Sequence, residues 1–521
     1  MKSQSIFAAC CLLLFVCLQP ALGGFQDDQS QQDQDQKGQD SLQKAMEAKL
    51  SAQTLTDLGE VIKLCEEALT AGLSDDDKVF CESLLSSTLL ERARGISQAI
   101  LAAVPQSQEQ LTRMASLRQT AIDDLNRSIE LDINSAEAHY RLGRLYAMTQ
   151  QDLGKARESL SKALELDFDD PAMHAQAYIA RAAVGESAEE KQKDYDAAVE
   201  LLPNNAQVLA LRAQHYLDEG DYEKALTDAD AAVEQDEESA QAHEIRGSAL
   251  VNLDRLEDAV EAYSKAIELQ PVAPLALLQR ANIHIMLQQG AKAIDDINRT
   301  MAFVGPNPQV LALRATAYLQ TDDKEKALED IRQAMNAIED PTGSDSVTFL
   351  RLGFLLSSAG ENRQAIDIYN KVLDGDANNS MALQARADAY LNVGEHSSAV
   401  TDYNKALALE PDSDHVLNNL SWVLSTSPDD DVRDGPRAIE LATKAAELTE
   451  FKEAHILSTL AAGYAEAGDF EKAKEWSAKA VEAAEDDETK ATLAKELESY
   501  EQGKPWRERQ NEDGELANTG G

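Results

Sequence analysis

A small residue recurs along this chain about every 34 residues, and this repeat restricts the fold more than any other feature of the sequence. From Ala225 to Ala327 the spacing between successive copies is 34 each time. The whole series comprises Ala121, Ala156, Ala225, Ala259, Ala293, Ala327, Ala365, Ala399, Ala438 and Ala473. A unit of this length cannot bury its apolar face alone, so neighbouring units are expected to stack on one another.

Each repeat reads as two helices. A second alanine series follows the first by seven residues, and two such alanines lie on one helical face, where they let another helix approach closely. Prolines such as Pro271 and Pro411 mark the joints, because proline can begin a helix but cannot continue one. The sequence therefore predicts an all-α fold, a right-handed superhelical solenoid of about 11–13 tandem helical hairpins.

The clearest copy runs from Ala242 to Pro271 and resembles the tetratricopeptide-repeat (TPR) family. The family pattern has a bulky residue, a Leu-Gly pair and an aromatic on the first helix, then Ala, an aromatic and Ala on the second, and Pro at the joint. The resemblance covers Ser107 to about Asp487. The segments 417–428, 432–442 and 503–508 also resemble TPR proteins of planctomycete-type bacteria, which implies a bacterial envelope protein.

The N-terminus reads as a secretory signal peptide over residues 1–23. Lys2 precedes an apolar run from Ile6 to Leu18, and small residues follow near Gly23. We expect cleavage there and a mature chain without a membrane span, in the periplasm or outside the cell. Lipid anchoring at Cys17 is a minor alternative, because the residue before it is the bulky Val16.

The remaining chain divides by composition and periodicity. We predict a disordered tether rich in Gln and Asp at 24–41, a helical, repeat-like region at 42–106, the repeat array at 107–487, a capping helix at 488–502 and a disordered tail at 503–521. Cys65 and Cys81 lie in helical patterns and read as small buried residues, with a disulfide as the alternative.

Charged residues also follow the repeat. Several first helices carry an arginine in the same position, and an aspartate follows it 16 residues later. We predict ion pairs between the two helices of one hairpin at Arg212 and Asp228, Arg280 and Asp296, Arg314 and Asp330, and Arg386 and Asp402. Where the arginine is replaced by Leu352, the aspartate is replaced by Ile368, which favours a structural role over a ladder of arginines that binds ligand.

A groove lined by first helices is the expected binding surface. Its predicted residues are Glu244, Ser248, Leu278, Asn282, Ala312 and Thr316. Members of the resembling family hold acidic C-terminal peptides with Lys and Asn residues, and in this set only Asn282 matches that type. The mixed polar and apolar surface still fits a protein or peptide segment.

Net charge limits the class of partner. The formal charge of -45 and a pI near 4.4 disfavour nucleic acid and anionic lipid, and favour a basic partner. No catalytic motif, cofactor motif or metal-ligand set occurs; the stretch from Asp374 to Asn378 begins like a calcium loop, but Asn379 replaces its Gly and Ala385 its Glu. We predict a non-catalytic scaffold for protein partners. The alternatives are a structural or assembly factor of the cell envelope, and an accessory subunit of an envelope enzyme or carbohydrate system.

Overall fold

The computed structural model describes residues 20–105, 107–338 and 346–508, with side chains from residue 35 onward. Within these ranges the regular structure is helical and no strand occurs. The predicted apolar run of the signal peptide and Cys17 lie outside them. The chain divides into two units after Asp254.

Among its described residues the first unit contains eleven α-helices. In chain order they are α1 (Pro20–Ser51), α2 (Leu55–Ala71), α3 (Asp75–Ala102), α4 (Gln108–Leu131), α5 (Ala136–Tyr146), α6 (Leu153–Leu164), α7 (Pro171–Ala183), α8 (Ala188–Leu201), α9 (Ala206–Asp218), α10 (Tyr222–Gln235) and α11 (Ala240–Asn252).

The second unit contains fourteen helices among its described residues. They are α12 (Leu256–Leu269), α13 (Pro274–Met286), α14 (Gly290–Val304), α15 (Pro308–Gln320), α16 (Lys324–Ala337), α17 (Ser346–Ser358), α18 (Asn362–Gly375), α19 (Ser380–Asn392), α20 (His396–Leu409), α21 (Asp414–Thr426), α22 (Gly435–Leu448), α23 (Ala454–Glu466), α24 (Phe470–Ala483) and α25 (Asp487–Glu501).

Apart from α11 and α12, which lie in different units, the described helices from α1 to α24 form successive pairs in chain order, and α25 follows α24. This confirms the all-α prediction of tandem hairpins. The alanines of both series are fully buried, as Ala293 and Ala327 of the first and Ala334 of the second show. The large residues between them are buried too, and Tyr369 is among the largest fully buried side chains. Small residues at the contact and large residues beside it allow the close helix packing that the repeat predicts.

Several first helices begin at side-chain caps. Asn307 accepts a hydrogen bond from the backbone N–H of Val310, and Asn379 accepts one from that of Ala382. These caps satisfy backbone N–H groups that have no partner within the helix. Asn379, the residue that breaks the calcium-loop pattern, therefore starts α19 at an ordinary joint between hairpins.

The predicted disordered tether at 24–41 lies within α1, so that prediction is wrong for the part that the structure describes. Leu42 and Ala45 are buried in the apolar cluster that also contains Val61 of α2. Gly38 crosses close to the chain at Gly72, since a Cβ on Gly38 would lie 1.8 Å from the Gly72 carbonyl oxygen. Packing at these points extends a helix that the polar composition alone does not predict.

The predicted disordered tail also needs correction. Helix α25 lies where the capping helix was expected, but the residues after it turn back onto the repeats. The Glu508 N–H donates to the Thr426 carbonyl at 3.0 Å, and Trp506 packs against a cluster that contains Tyr500 and Tyr464. One aromatic side chain and specific backbone contacts order a segment whose composition suggests a coil. Residues 509–521 lie outside the described ranges.

Candidate partner-binding surfaces

The structure brings together all four predicted arginine–aspartate pairs. In each, the guanidinium Nε and Nη2 donate two parallel hydrogen bonds of 2.6 to 2.9 Å to the carboxylate. The aspartates are buried, so the bonds that they accept are needed to offset the loss of hydration. The pairs are Arg212 with Asp228, Arg280 with Asp296, Arg314 with Asp330 and Arg386 with Asp402.

Each of these arginines makes a second contact that the sequence analysis missed. Its Nη1 donates to a residue 16 positions earlier, on the second helix of the preceding hairpin. The acceptors are Asp196 at 2.9 Å, Ser264 at 2.8 Å, Asn298 at 2.6 Å and Asn370 at 2.6 Å. One arginine therefore ties its own hairpin together and also holds the neighbouring hairpin. A signal was present, since a polar residue recurs at this earlier position.

Arg246 makes only the contact with the preceding hairpin. Its later partner is replaced by the buried Ala262, yet its Nε still donates to Asp230 at 2.6 Å. The position of Leu352 and Ile368 is fully apolar, and both side chains are buried. These exceptions support a structural role, because the frame accepts either a pair of charges or a pair of apolar side chains at one position.

Two further pairs escaped prediction because their spacing differs. Arg92 and Asp124 are 32 residues apart and make two bonds of 2.6 and 2.7 Å, across the long helices α3 and α4. Arg181 and Asp194 are 13 residues apart and bond at 2.6 and 2.9 Å. A search at a fixed spacing cannot detect them, since the helix and loop lengths change in the first unit.

In the first unit, two residues of the predicted groove lie on α11. Glu244 and Ser248 are both half-buried. The Ser248 hydroxyl donates to the Glu244 carbonyl at 3.0 Å. Burial raises the pKa of the Glu244 carboxyl. The Glu244 side chain is thus the more suitable of the two for contact with a cationic group.

The remaining groove residues belong to the second unit. Ala312 is fully buried in the apolar cluster that α15 shares with Phe349 of α17, so its assignment to a contact surface is wrong. Thr316 donates to the Ala312 carbonyl at 2.9 Å, and Asn282 donates to the Leu278 carbonyl at 3.0 Å. Asn282 is exposed and Leu278 is half-buried. Only part of the predicted set is therefore open to a partner.

A pocket that the sequence analysis did not predict lies between first helices of the second unit. It encloses about 190 Å³. Helices α19, α20 and α21 supply its lining, which consists of Asp388, Leu391, Asn392, Tyr403, Asn419 and Trp422. The pocket combines one carboxylate, two amides, two aromatic side chains and one leucine.

Asp388 differs from the aspartates of the frame. The Tyr403 hydroxyl and the Asn419 amide, the latter at 3.4 Å, both donate to its Oδ1. Burial raises the pKa of Asp388, although the hydrogen bonds from Tyr403 and Asn419 and the neighbouring His415 partly offset the lost hydration of the charge. The pattern of Arg–Asp spacing could not detect this residue, since no arginine is paired with it in the sequence.

The returning C-terminal segment forms the neighbouring surface. The Trp422 Nε1 donates to the Glu508 carboxylate at 2.6 Å. Arg507 donates to the Ser425 carbonyl at 3.1 Å and to the Glu466 carboxylate at 2.5 Å. These bonds fix the Trp422 ring beside the pocket. Sequence reasoning noted the segment as a family-like ending but did not predict its contacts.

The first unit carries a pocket of the opposite charge. It encloses about 160 Å³ between α3 and α5, where Arg141 and Arg144 meet Leu101 and Met148. Arg141 is already paired with Glu137, at 2.6 Å. This existing pair makes the site less available to a second anion.

The two cysteines form no disulfide, which decides between the two alternatives that the sequence left open. Cys65 and Cys81 are free and buried, and the Cys81 thiol donates to the Cys65 carbonyl at 3.5 Å. The neighbouring Cys81 thiol, together with burial, raises the pKa of Cys65. They pack as small apolar residues within the α1–α3 cluster. Over the described ranges no group of three metal-ligating side chains occurs, and no helix is long and apolar enough to cross a bilayer.

These features define a helical-repeat protein whose polar pairs hold stacked hairpins together. Three family models, each described as tetratricopeptide repeat, match the chain at residues 136–170, 211–274, 246–302, 308–341 and 351–512. Together they cover more than half of it. The chain belongs to the tetratricopeptide-repeat family, whose repeats indicate a scaffold for protein–protein interaction.

Individual relatives are distant. The tetratricopeptide repeat and J domain-containing co-chaperone DNJ1 of Fusarium oxysporum f. sp. lycopersici is 32% identical over 105 residues, which are 20% of this chain and 20% of the relative. Yeast Tom70 is 14% identical, with 91% of this chain and 96% of that chain covered and a TM-score of 0.41. The TPR protein YrrB, described as having an unusual peptide-binding site, is 20% identical, with 37% and 96% covered and a TM-score of 0.29.

Proposed function

We propose that this protein is a non-catalytic scaffold outside the cytosol, and that it binds a basic segment of a partner protein on its first helices. The observation that carries the proposal is a difference in pairing between the arginines and some of the carboxylates. Arginines such as Arg280 and Arg386 are engaged within the frame, whereas Glu244 and Asp388 on first helices keep carboxylates that have no arginine partner among the described residues.

Charge supports the choice of partner. The chain has 93 acidic and 48 basic residues, and many of the basic ones are paired with carboxylates. The remaining negative field would accelerate the encounter with a cationic surface and would repel an anionic one. Location outside the cytosol rests on the charged start and the apolar run of residues 1–23.

An array of 12-residue peptides with graded net charge tests the binding proposal. The mature chain, labelled at a single site, is applied at about 50 mM and 300 mM salt. We expect it to retain basic peptides and to bind them at least fivefold more weakly at the higher salt, since screening shortens the range of the attraction. Retention of acidic peptides, or of basic peptides without salt dependence, would contradict the proposal.

The proposed location has a separate test. Expression of the full chain in a bacterial host, followed by fractionation and N-terminal sequencing, should give a mature protein outside the cytosol that begins near residue 24. A full-length chain in the cytosolic fraction would refute the location but would leave the binding proposal intact.

A further inference from the structure

We propose that the pocket between α19 and α21 binds the charged end of a lysine or arginine side chain of the partner. This inference rests on the proposed function and makes it more specific, because it assigns the contact to Asp388 and Trp422. The ligand is defined by its chemistry: a cation at the end of an apolar stem.

The first argument concerns the acceptor capacity of Asp388. Both of its hydrogen bonds end on Oδ1, so Oδ2 remains an acceptor among the described groups. Within the same ranges no Lys or Arg nitrogen lies within 4.0 Å of this carboxylate, whereas Asp402 of the same hairpin is paired with Arg386 at 2.6 Å. A half-buried carboxylate with a free acceptor oxygen is stabilised by a cation from outside.

The walls of the pocket also suit a cation on an apolar stem. The half-buried Trp422 and Leu391 line it beside the fully buried Tyr403. The face of an indole attracts ammonium and guanidinium groups, and leucine packs against the methylene stem of such a side chain. The bond from Trp422 to Glu508 holds the indole in place before a ligand arrives, which reduces the ordering cost of binding.

Other classes of ligand fit this pocket less well. An anion would meet Asp388 with Glu508 close to Trp422, and like charges repel. A purely apolar side chain would bury Asp388 further without supplying a donor, which costs free energy. Of these three classes of ligand, only a cation both donates to the carboxylate and is attracted to the face of the Trp422 ring. The pocket of about 190 Å³ has room for one such group and part of its stem.

The experiment combines a protein variant with a ligand variant. Basic 12-residue peptides retained by the wild-type chain are resynthesised with each lysine replaced by acetyl-lysine and each arginine by citrulline. At the critical position we expect the neutral residue to weaken binding about tenfold. The Asp388→Asn chain should lose a similar factor with the unmodified peptide and almost nothing more with the neutral one.

Asp367→Asn is the matched control, because it removes the same charge from an exposed position on α18. We expect its affinity to stay within twofold of the wild type. Circular dichroism and thermal unfolding of both variants monitor folding, and the coupling between the two changes distinguishes direct contact from a general loss of structure.

The outcomes separate the two proposals. Basic peptides that bind both chains equally well would overturn the pocket assignment and leave the scaffold proposal standing. Retention of no basic peptide by the wild type would overturn both. Equal losses for Asp388→Asn and Asp367→Asn would also overturn the pocket, since the effect would then be one of net charge.

Discussion

Arg386 on α19 and Asp402 on α20 are joined by two parallel hydrogen bonds of 2.8 and 2.6 Å. Their side chains are 15% and 3% exposed, so the pair lies largely out of water. The arginine also reaches Asn370 on the preceding hairpin, at 2.6 Å. This arrangement makes the ion pair a junction of three helices.

Removal of one partner should therefore be costly. We expect Asp402→Ala to lower the free energy of unfolding by about 3 kcal/mol, because it leaves a guanidinium partly buried without its carboxylate. The Arg386→Met/Asp402→Ala double variant should lose less than the sum of the two single changes. Urea titration followed by circular dichroism measures these differences.

The exposed pair of Lys193 and Glu189, at 71% and 81% exposure, serves as the control. Glu189→Ala should cost less than about 0.5 kcal/mol. Additive effects for Arg386 and Asp402 would contradict the interpretation of the pair as a unit.

The C-terminal segment provides a second prediction. Trp506→Ala should destabilise the last hairpins by about 1–2 kcal/mol, because Trp506 packs against the cluster around Tyr500 and Tyr464. Hydrogen exchange, read by mass spectrometry, should accelerate in α23 and α25. The exposed Lys504 offers a control, since Lys504→Ala should leave exchange there unchanged. Equal exchange in the Trp506→Ala and wild-type chains would show that the segment is not part of the fold.

Glu496 on α25 should make stability depend on pH. Burial raises the pKa of its carboxyl from the usual 4.5 to about 7, although the Ser458 hydroxyl donates to it. A raised carboxyl pKa means that the folded state holds the proton more tightly. Its contribution is therefore fully present below about pH 4.5 and is lost as the pH rises through about 7.

Glu496→Gln should remove this dependence. We expect the variant to match the wild type near pH 5 and to exceed it at pH 8 by roughly 1–3 kcal/mol, since glutamine keeps polar atoms without charge. Urea titrations at the two pH values measure the difference. Glu498→Gln, on the same helix, is a control with no expected gain. A variant that is equally destabilised at both pH values would contradict the proposed linkage.

The turn within each hairpin supplies a fourth prediction. Gln288 and Asp322 have φ of 55° and 57°, at a position where Gly220 and Gly394 have φ of 79°. Residues with a side chain are strained in this left-handed region, whereas glycine is not. Gln288→Gly should therefore raise the free energy of unfolding by about 0.5–1 kcal/mol, and the reciprocal Gly394→Gln should lower it by about 1 kcal/mol. Thermal unfolding that moves in the same direction for both changes would refute the assignment.

The sequence predicted those features that depend on a constant repeat. The alanine series and the Arg–Asp spacing of 16 residues survive in the fold because each hairpin places the same positions in contact. The Arg92–Asp124 pair was missed because α3 spans 28 residues and changes that spacing. The contact of Trp422 with Glu508 joins positions 86 residues apart, so no local pattern contains it.

The burial of single residues could not be predicted from the repeat pattern either. Ala312 is fully buried in the apolar cluster that contains Phe349, whereas Glu244 and Leu278, at the equivalent position of two earlier repeats, are half-buried. Asp388 was not predicted as a site residue, because its position in the sequence does not mark it. Its environment, rather than its spacing, distinguishes it from the many other carboxylates of the chain.

The bonds from the arginines to the preceding hairpin have a practical consequence for dividing the chain into fragments. A cut in the loop before α9 would separate Arg212 from Asp196 while leaving its bond to Asp228 intact. The natural boundary of an excised fragment therefore lies one hairpin upstream of the boundary that the repeat suggests. A fragment that respects this offset keeps both acceptors of Arg212.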